Sequence, residues 1–314
     1  MQTQTRPELG VAMVLAAAAL WGTTGTSQSL ADGQLTAGWF GALRLAVAAT
    51  FFAVYAWITG RGATRAGSSA APLPWPGVLG AGLCMAVYNL AFFAGVRLTG
   101  VGLGTAIALG SGPLWAGVLQ AIVSRQLPSV QWWLGTVAAV AGGVLMTLSS
   151  GSAGHAVSAT GVALCLSAGL SYAVYTLINK SLVRDVGAAR ATLSAFTVAA
   201  VVAVPAAWIE GGMPHPVAAD LWAVLYVGVV TAGVAYLLFS YALRHISAAT
   251  GVTLALFEPV VAFTLATLIL REQPGVLSFA GLALVVAGVL VVVKAELRDA
   301  RAMAGSGEPG VQAV

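Results

Sequence analysis

Apolar residues fill this chain in long blocks separated by short polar breaks. Val11 to Leu20 carries no charge, and Val276 to Val293 has Ser278 as its single polar side chain. A helix needs about 20 apolar residues to cross a hydrocarbon core of about 30 Å, so these blocks predict membrane helices. Strands of a transmembrane barrel would instead alternate apolar and polar residues in segments of about 10. The pattern predicts ten spans, over 9–30, 35–58, 76–96, 101–123, 131–148, 158–179, 190–209, 218–242, 247–270 and 275–294. Connections are short except for the Arg/Gly/Ser/Pro stretch at 59–75. The fold class expected is an all-α integral membrane protein.

Composition narrows the function. Charged residues are 8% of 314 and hydrophobic residues 59%, where a soluble domain is about 25% charged. A soluble enzyme and a disordered chain are both excluded. The net charge of +4 does not mark a nucleic-acid binder, because the basic residues are scattered beside the spans. Cys84 and Cys165 each sit inside an apolar run, which fits small helix-packing residues rather than a disulfide or metal framework. The first apolar block follows Arg6 and Glu8 and runs on into Gly, Thr and Ser, so it reads as the first span rather than a cleaved signal.

Basic residues also give an orientation. With the N-terminus inside, eleven of them fall on inner segments (Arg6, Arg61, Arg65, Arg125, Lys180, Arg184, Arg190, Arg244, Lys294, Arg298, Arg301), and Arg97 and Arg271 lie outside. Both termini are therefore expected on the cytoplasmic side of a cell (inner or plasma) membrane.

The chain repeats itself. At an offset of 146, Pro113 matches Pro259, Arg125 matches Arg271, Pro128 matches Pro274, Gly135 matches Gly281 and Gly142 matches Gly288. Phe92 pairs with Phe239 at 147, and Gly10 with Gly161 at 151, which sets Trp21 against Tyr172. A five-helix unit has an odd number of spans, so its second copy enters the membrane from the other side. The expected organisation is a cytoplasmic segment at 1–8, a first repeat at 9–148, a linker at 149–157, a second repeat at 158–294 and a mobile cytoplasmic tail at 295–314. Such inverted repeats are a transporter architecture with the substrate near the midplane.

The chain resembles the EamA family of the drug/metabolite transporter superfamily. The residues that carry the resemblance are AALWGTTGTS at 18–27, the second span with Arg44, SAGLSYAVYTLINKSL at 167–182, and 241–292, which includes LALFEPVVAFTLATLILREQPG. The first half is a looser copy, with Gly112 where the second has Glu258. The resemblance implies two EamA repeats, with helices 1–4 and 6–9 around a central cavity and helices 5 and 10 to one side. It also implies export of small metabolites, often amino acids or related amphipathic compounds.

Candidate site residues follow from cost. Glu258 is the acidic residue deep in a span, roughly 16 Å from the inner face by helical rise. A charge there costs at least about 2.5–3.5 kcal/mol, so it should face a cavity or a partner. It is a candidate for proton coupling or for binding a substrate amine; a structural ion pair or helix brace is the alternative. Arg44, roughly 14 Å from the outer face, reaches a similar depth. It could pair with Glu258, hold a substrate carboxylate, or serve as a structural base. Pro113 and Pro259 are matched mid-span kinks and candidate hinges. Trp21, Thr24, Tyr88, Asn89, Tyr172, Tyr175, Asn179, Tyr236 and Phe257 form the polar and aromatic set expected to line a cavity or to brace helices. Trp132 and Trp133 fit an interfacial belt.

No GxxxxGK[ST] loop, HExxH or deep Ser/His pair occurs, and His155, His215 and His245 lie near span ends without ligand spacing. The expectation is a secondary transporter without cofactor or catalytic residues. Its partners would be a small molecule, the bilayer and a coupling ion for which protons are the candidate. Monomer and homodimer both remain open. A lipid-moving or structural membrane protein is the alternative.

Overall fold

The computed structural model describes residues 6–31, 34–64, 72–125, 127–149, 158–269, 271 and 274–305. Among these residues the chain is helical and has no strand. The elements are α1 (Pro7–Ala31), α2 (Ala37–Thr64), α3 (Trp75–Thr99), α4 (Val101–Ser124), α5 (Val130–Ser149), α6 (Ala159–Val186) and α7 (Ala188–Gly211). Then come α8 (Ala218–Tyr226), a π-helical segment (Val227–Val234), α9 (Ala235–Ala242), α10 (Ala248–Leu254), a 3-10 turn (Ala255–Phe257), α11 (Glu258–Leu268) and α12 (Val276–Gly305). The π segment joins α8 and α9 into span 8, and the 3-10 turn joins α10 and α11 into span 9. Ten helices are thus long and apolar enough to cross a membrane. The start of α1 and the end of α12 lie on one side, called the termini side below; the other is the far side.

Large apolar side chains face outward along the bundle, with Ile209 85% and Val276 86% exposed, as expected where lipid is the solvent. Trp57 and Trp75 toward the termini side, and Trp208 and Trp222 toward the far side, are also exposed and form the two aromatic belts.

The packing treats the halves alike. Span 2 lies on span 7 and span 5 on span 10; α3 packs on α6 as span 8 packs on α1, and α4 packs on α6 as span 9 packs on α1. Exchanging each span with the one five places on maps this set of contacts onto itself. The α5–α12 seam depends on four glycines. A Cβ on Gly135 would meet the Gly288 carbonyl at 2.8 Å, and one on Gly142 the Gly281 carbonyl at 2.6 Å. Each glycine therefore opposes the repeat mate of the other, and any side chain would force the two backbones apart. A second match is conformational. Arg125 (φ 55) and Arg271 (φ 56) are the non-glycine residues with positive φ among those described. Each ends the span that holds a matched proline, in a conformation that costs of order 1–3 kcal/mol.

Besides the turn in span 9, four elements differ from the hydropathy pattern. α2 runs to Thr64 rather than 58, so the first residues of the expected connection at 59–75 are helical. α6 runs to Val186 rather than 179. α12 runs to Gly305 rather than ending at 294, so residues 295–305, expected in a mobile tail, are helical. Their sequence AELRDARAMAG is rich in strong helix formers, and Glu296 is held by partners on span 9. Span 8 contains the π segment, whose VGVVTAGV sequence is β-branched and glycine-rich. A Cβ on Gly228 or Gly233 would press on Val47 or Phe51 of α2.

Candidate functional site

Span 9 is two half-helices of opposite character. All seven residues of α10 are buried. Its start is capped by Ser247, whose Oγ accepts from the Thr250 amide at 3.1 Å. The Glu296 carboxylate of α12 then accepts from the Ser247 amide at 2.9 Å, from Ser247 Oγ at 3.2 Å and from Thr250 Oγ1. Gln120 Oε1 of α4 accepts from the Ala249 amide at 2.9 Å. Trp132 Nε1 of α5 donates to Thr250 Oγ1 at 3.1 Å, and the Thr136 and Thr253 hydroxyls lie 3.4 Å apart. Three helices thus clamp α10 on the termini side. Trp132, read from sequence as an interfacial residue, is 3% exposed and belongs to this clamp; its indole N–H needed a buried partner and found one.

Beyond the 3-10 turn, α11 begins at Glu258 with Pro259 in its first turn, where a missing N–H breaks no helical bond. No residue of α11 is buried. Its close neighbour is α1, where a Cβ on Gly22 would meet Val261 at 2.7 Å and the Glu258 carbonyl at 2.8 Å. Pro113, by contrast, is buried inside an unbroken α4.

A cavity of about 280 Å³ lies where α11 leaves α4 and α5. Its walls come from the far halves of three spans: Thr105, Leu109, Val140, Val144 and Thr147, then Leu256, Glu258, Ala262, Phe263 and Ala266. Glu258 is the charged residue among those lining it, and by its place in span 9 it stands nearer the midplane than Ala262 and Ala266. Thr147 donates its hydroxyl to the Gly143 carbonyl at 2.7 Å, so its proton is already used.

On the other side of Glu258, Arg44 and an aromatic cluster fill the bundle centre. Arg44 and Glu258 interact electrostatically but form no direct ion pair; among the described residues the ion pairs are Arg97–Glu210 and Arg298–Asp299. The guanidinium lies 5.8 Å from the Phe93 ring centre and faces Tyr88, and its Nε is buried without a hydrogen-bond partner. Tyr88 and Tyr172 are 5.3 Å apart between ring centres, and Tyr172 lies 6.3 Å from Tyr175 and 6.2 Å from Phe239. Trp21 meets Tyr236 at 5.0 Å and Phe239 at 5.5 Å. The expected repeat mates Trp21 and Tyr172 therefore share one neighbour, Phe239. Trp21 Nε1 also donates to the Thr231 carbonyl at 2.8 Å, inside the π segment.

Asn89 is fully buried with both amide atoms unpartnered, against α2 at Gly41. An unpaired buried group costs about 1–3 kcal/mol. Asn179 donates to Ser240 Oγ at 2.9 Å. Phe257 is half-buried in the 3-10 turn and packs on the core. Thr24 is half-buried farther along α1, and its carbonyl accepts from Ser27 Oγ at 2.8 Å. The residues that escaped sequence reasoning are Phe93, Phe239 and Phe196 of the cluster, the last 4.9 Å from Tyr236 between ring centres, and Gln120 and Glu296 of the clamp. Phenylalanines in an apolar span carry no signal of their own, and a glutamate after a span reads as solvated.

The far side is tied elsewhere. Asp220 accepts from the Gln34, Leu35 and Val217 amides at 3.0–3.2 Å. Trp39 Nε1 donates to the Gly212 carbonyl at 2.9 Å, and Arg97 pairs with Glu210 across α3 and α7. These ties gather spans 2, 3, 7 and 8 with the connection before α2 and leave the cavity beside α4, α5 and α11.

Ten membrane-length helices around a buried charge and an aromatic centre are the frame of a multi-pass membrane protein. The chain belongs to the EamA-like transporter family, which matches it twice, over residues 8–148 and 159–294. It is 35% identical over 291 residues to the Uncharacterized transporter YwfM of Bacillus subtilis (strain 168), across 93% of this chain and 96% of that protein. A crystal structure that is 17% identical superposes with a TM-score of 0.79 over 92% of this chain and 98% of its own; that likeness concerns the fold.

Proposed function

We propose that the protein is a secondary transporter that exports a small organic metabolite by alternating access, with Glu258 as the binding or coupling carboxylate. The observation that carries this reading is the placement of Glu258 at the break in span 9, on the wall of the far-side cavity and beyond a clamped termini-side half. In this reading the carrier is open toward the far face and sealed toward the termini side. The exchange-symmetric packing and the two family matches support two inverted five-helix repeats that rock between such states. The basic residues favour cytoplasmic termini in the cell membrane. A gradient of an ion or of the substrate drives transport in this reading, with protons the first candidate because Glu258 can carry one.

The test is flux in proteoliposomes with a panel of labelled small metabolites at two pH values. Glu258→Gln should lower flux at least tenfold while the purified protein keeps its melting temperature within a few degrees. Unchanged flux and unchanged pH dependence in this variant would remove Glu258 from the mechanism. Labelled lipid moved in the same vesicles, with no solute carried, would replace the reading with a lipid mover.

A further inference from the structure

We infer that the cavity between α4, α5 and α11 binds an organic cation, an ammonium group on an apolar, ring-bearing body. The inference rests on the transporter reading and names the class of solute that its site would take.

The cavity is about 280 Å³, large enough for a compact organic molecule, and Glu258 is the charged side chain that lines it. The one base deep in a span, Arg44, is not among the lining residues; it is held over Phe93 beside Tyr88. An anion in this space would meet a carboxylate with no cation on the wall to offset it. A neutral polyol would leave its hydroxyls unpaired against Leu109, Val140, Val144, Leu256 and Phe263. An ammonium answers the carboxylate with a charge-assisted hydrogen bond, and its apolar body fills the rest. Phe263, whose edge-to-face partner Phe279 lies 5.4 Å away, offers that body an aromatic surface. The room is real space rather than a packing defect of one residue: a Cβ built on Gly143 meets nothing within 4 Å. The same glycine, on the cavity wall, therefore accepts a Cβ without displacing its neighbours.

The test uses four probes of one shape: 2-phenylethylammonium, 2-phenylethanol, 3-phenylpropionate and zwitterionic phenylalanine. Binding is read as stabilisation of the purified full-length protein against heat, and transport as flux of each probe in proteoliposomes. The amine should stabilise the protein and be carried at least tenfold better than the other three. Both effects should be lost in Glu258→Gln, which removes the charge, and in Gly143→Leu, which fills the space; gel filtration checks that each variant stays folded. Equal or better binding of the alcohol, the carboxylate or the zwitterion overturns the assignment. So does an amine effect that survives both variants, or an amine that neither stabilises the protein nor is carried. Flux of other solutes without the amine sinks the ligand class alone. Absence of flux for every solute in the wider metabolite panel sinks the transporter reading itself.

Discussion

Spans 4 and 9 carry the same proline at the same place in the repeat, and they fold differently. In span 4, Pro113 sits buried in one continuous helix, α4. In span 9, the chain before Pro259 tightens into a 3-10 turn and restarts as α11. The difference comes from what surrounds each proline. α4 packs chiefly on α6 and α5. Span 9 is gripped at one end by Glu296, Gln120 and Trp132, while α11 has no buried residue. A proline lacks the amide N–H that would carry a regular helix through it, so inside a helix it removes a bond and in a first turn it marks a fresh start. In the proposed cycle it becomes a joint where one side is clamped by three helices and the other packs mainly on α1. Glu258, absent from the first repeat, stands at that joint.

The sharpest way to break this contrast is to release the grip. Glu296→Ala strips three hydrogen bonds from one carboxylate and leaves Ser247 and Thr250 to find other partners. Bonds to charged groups are worth about 1.5–3 kcal/mol each, so the loss should total about 3 kcal/mol once water relieves part of it. Thermal unfolding in detergent measures this, and Glu296→Gln should recover part of the loss. Next in size is the pair of proline variants. Pro259→Ala restores the missing N–H and lets α10 and α11 anneal, so flux should fall severalfold. Pro113→Ala should change flux less than twofold; equal effects would erase the distinction between the two spans. A smaller effect is expected for Trp132→Phe, about 1 kcal/mol of stability for the lost bond to Thr250, with less for Trp133→Phe.

The smallest effect lies at the termini-side edge. Burial, then Arg244 and Arg6, hold the His245 imidazole below its usual 6.5. The folded state thus favours the neutral ring, and the unfolded chain binds more protons. Stability should be unaffected by this group above about pH 6.5 and decline as pH falls below it. His245→Gln should flatten that decline slightly in melting curves taken between pH 5 and 7.

Much of this was legible in the sequence. Hydropathy located ten spans because lipid demands apolar length, and the prolines, arginines and glycines at an offset of 146 pointed to matched geometry. Glu258 and Arg44 were found by rarity, since a charge in a span is costly enough to need a reason. What stayed hidden was tertiary. Trp132 looked like a belt residue because burial and interface select the same side chain. Glu296 looked like tail because its partner Ser247 is 49 residues away in sequence. The break in span 9 could not be read from Pro259, since Pro113 has the same local signal and no break.

The most direct test of the joint is thiol accessibility in membranes. Single cysteines at Ala262, on the cavity wall, and at Thr253, inside the clamped half, would be placed in a Cys84→Ala, Cys165→Ala background and exposed to a membrane-impermeant maleimide. The cysteine at 262 should label readily, and the one at 253 should stay protected until Glu296→Ala is added. Equal labelling of the two, or a protected 262, would contradict the account of span 9 as one fixed and one mobile half with Glu258 between them.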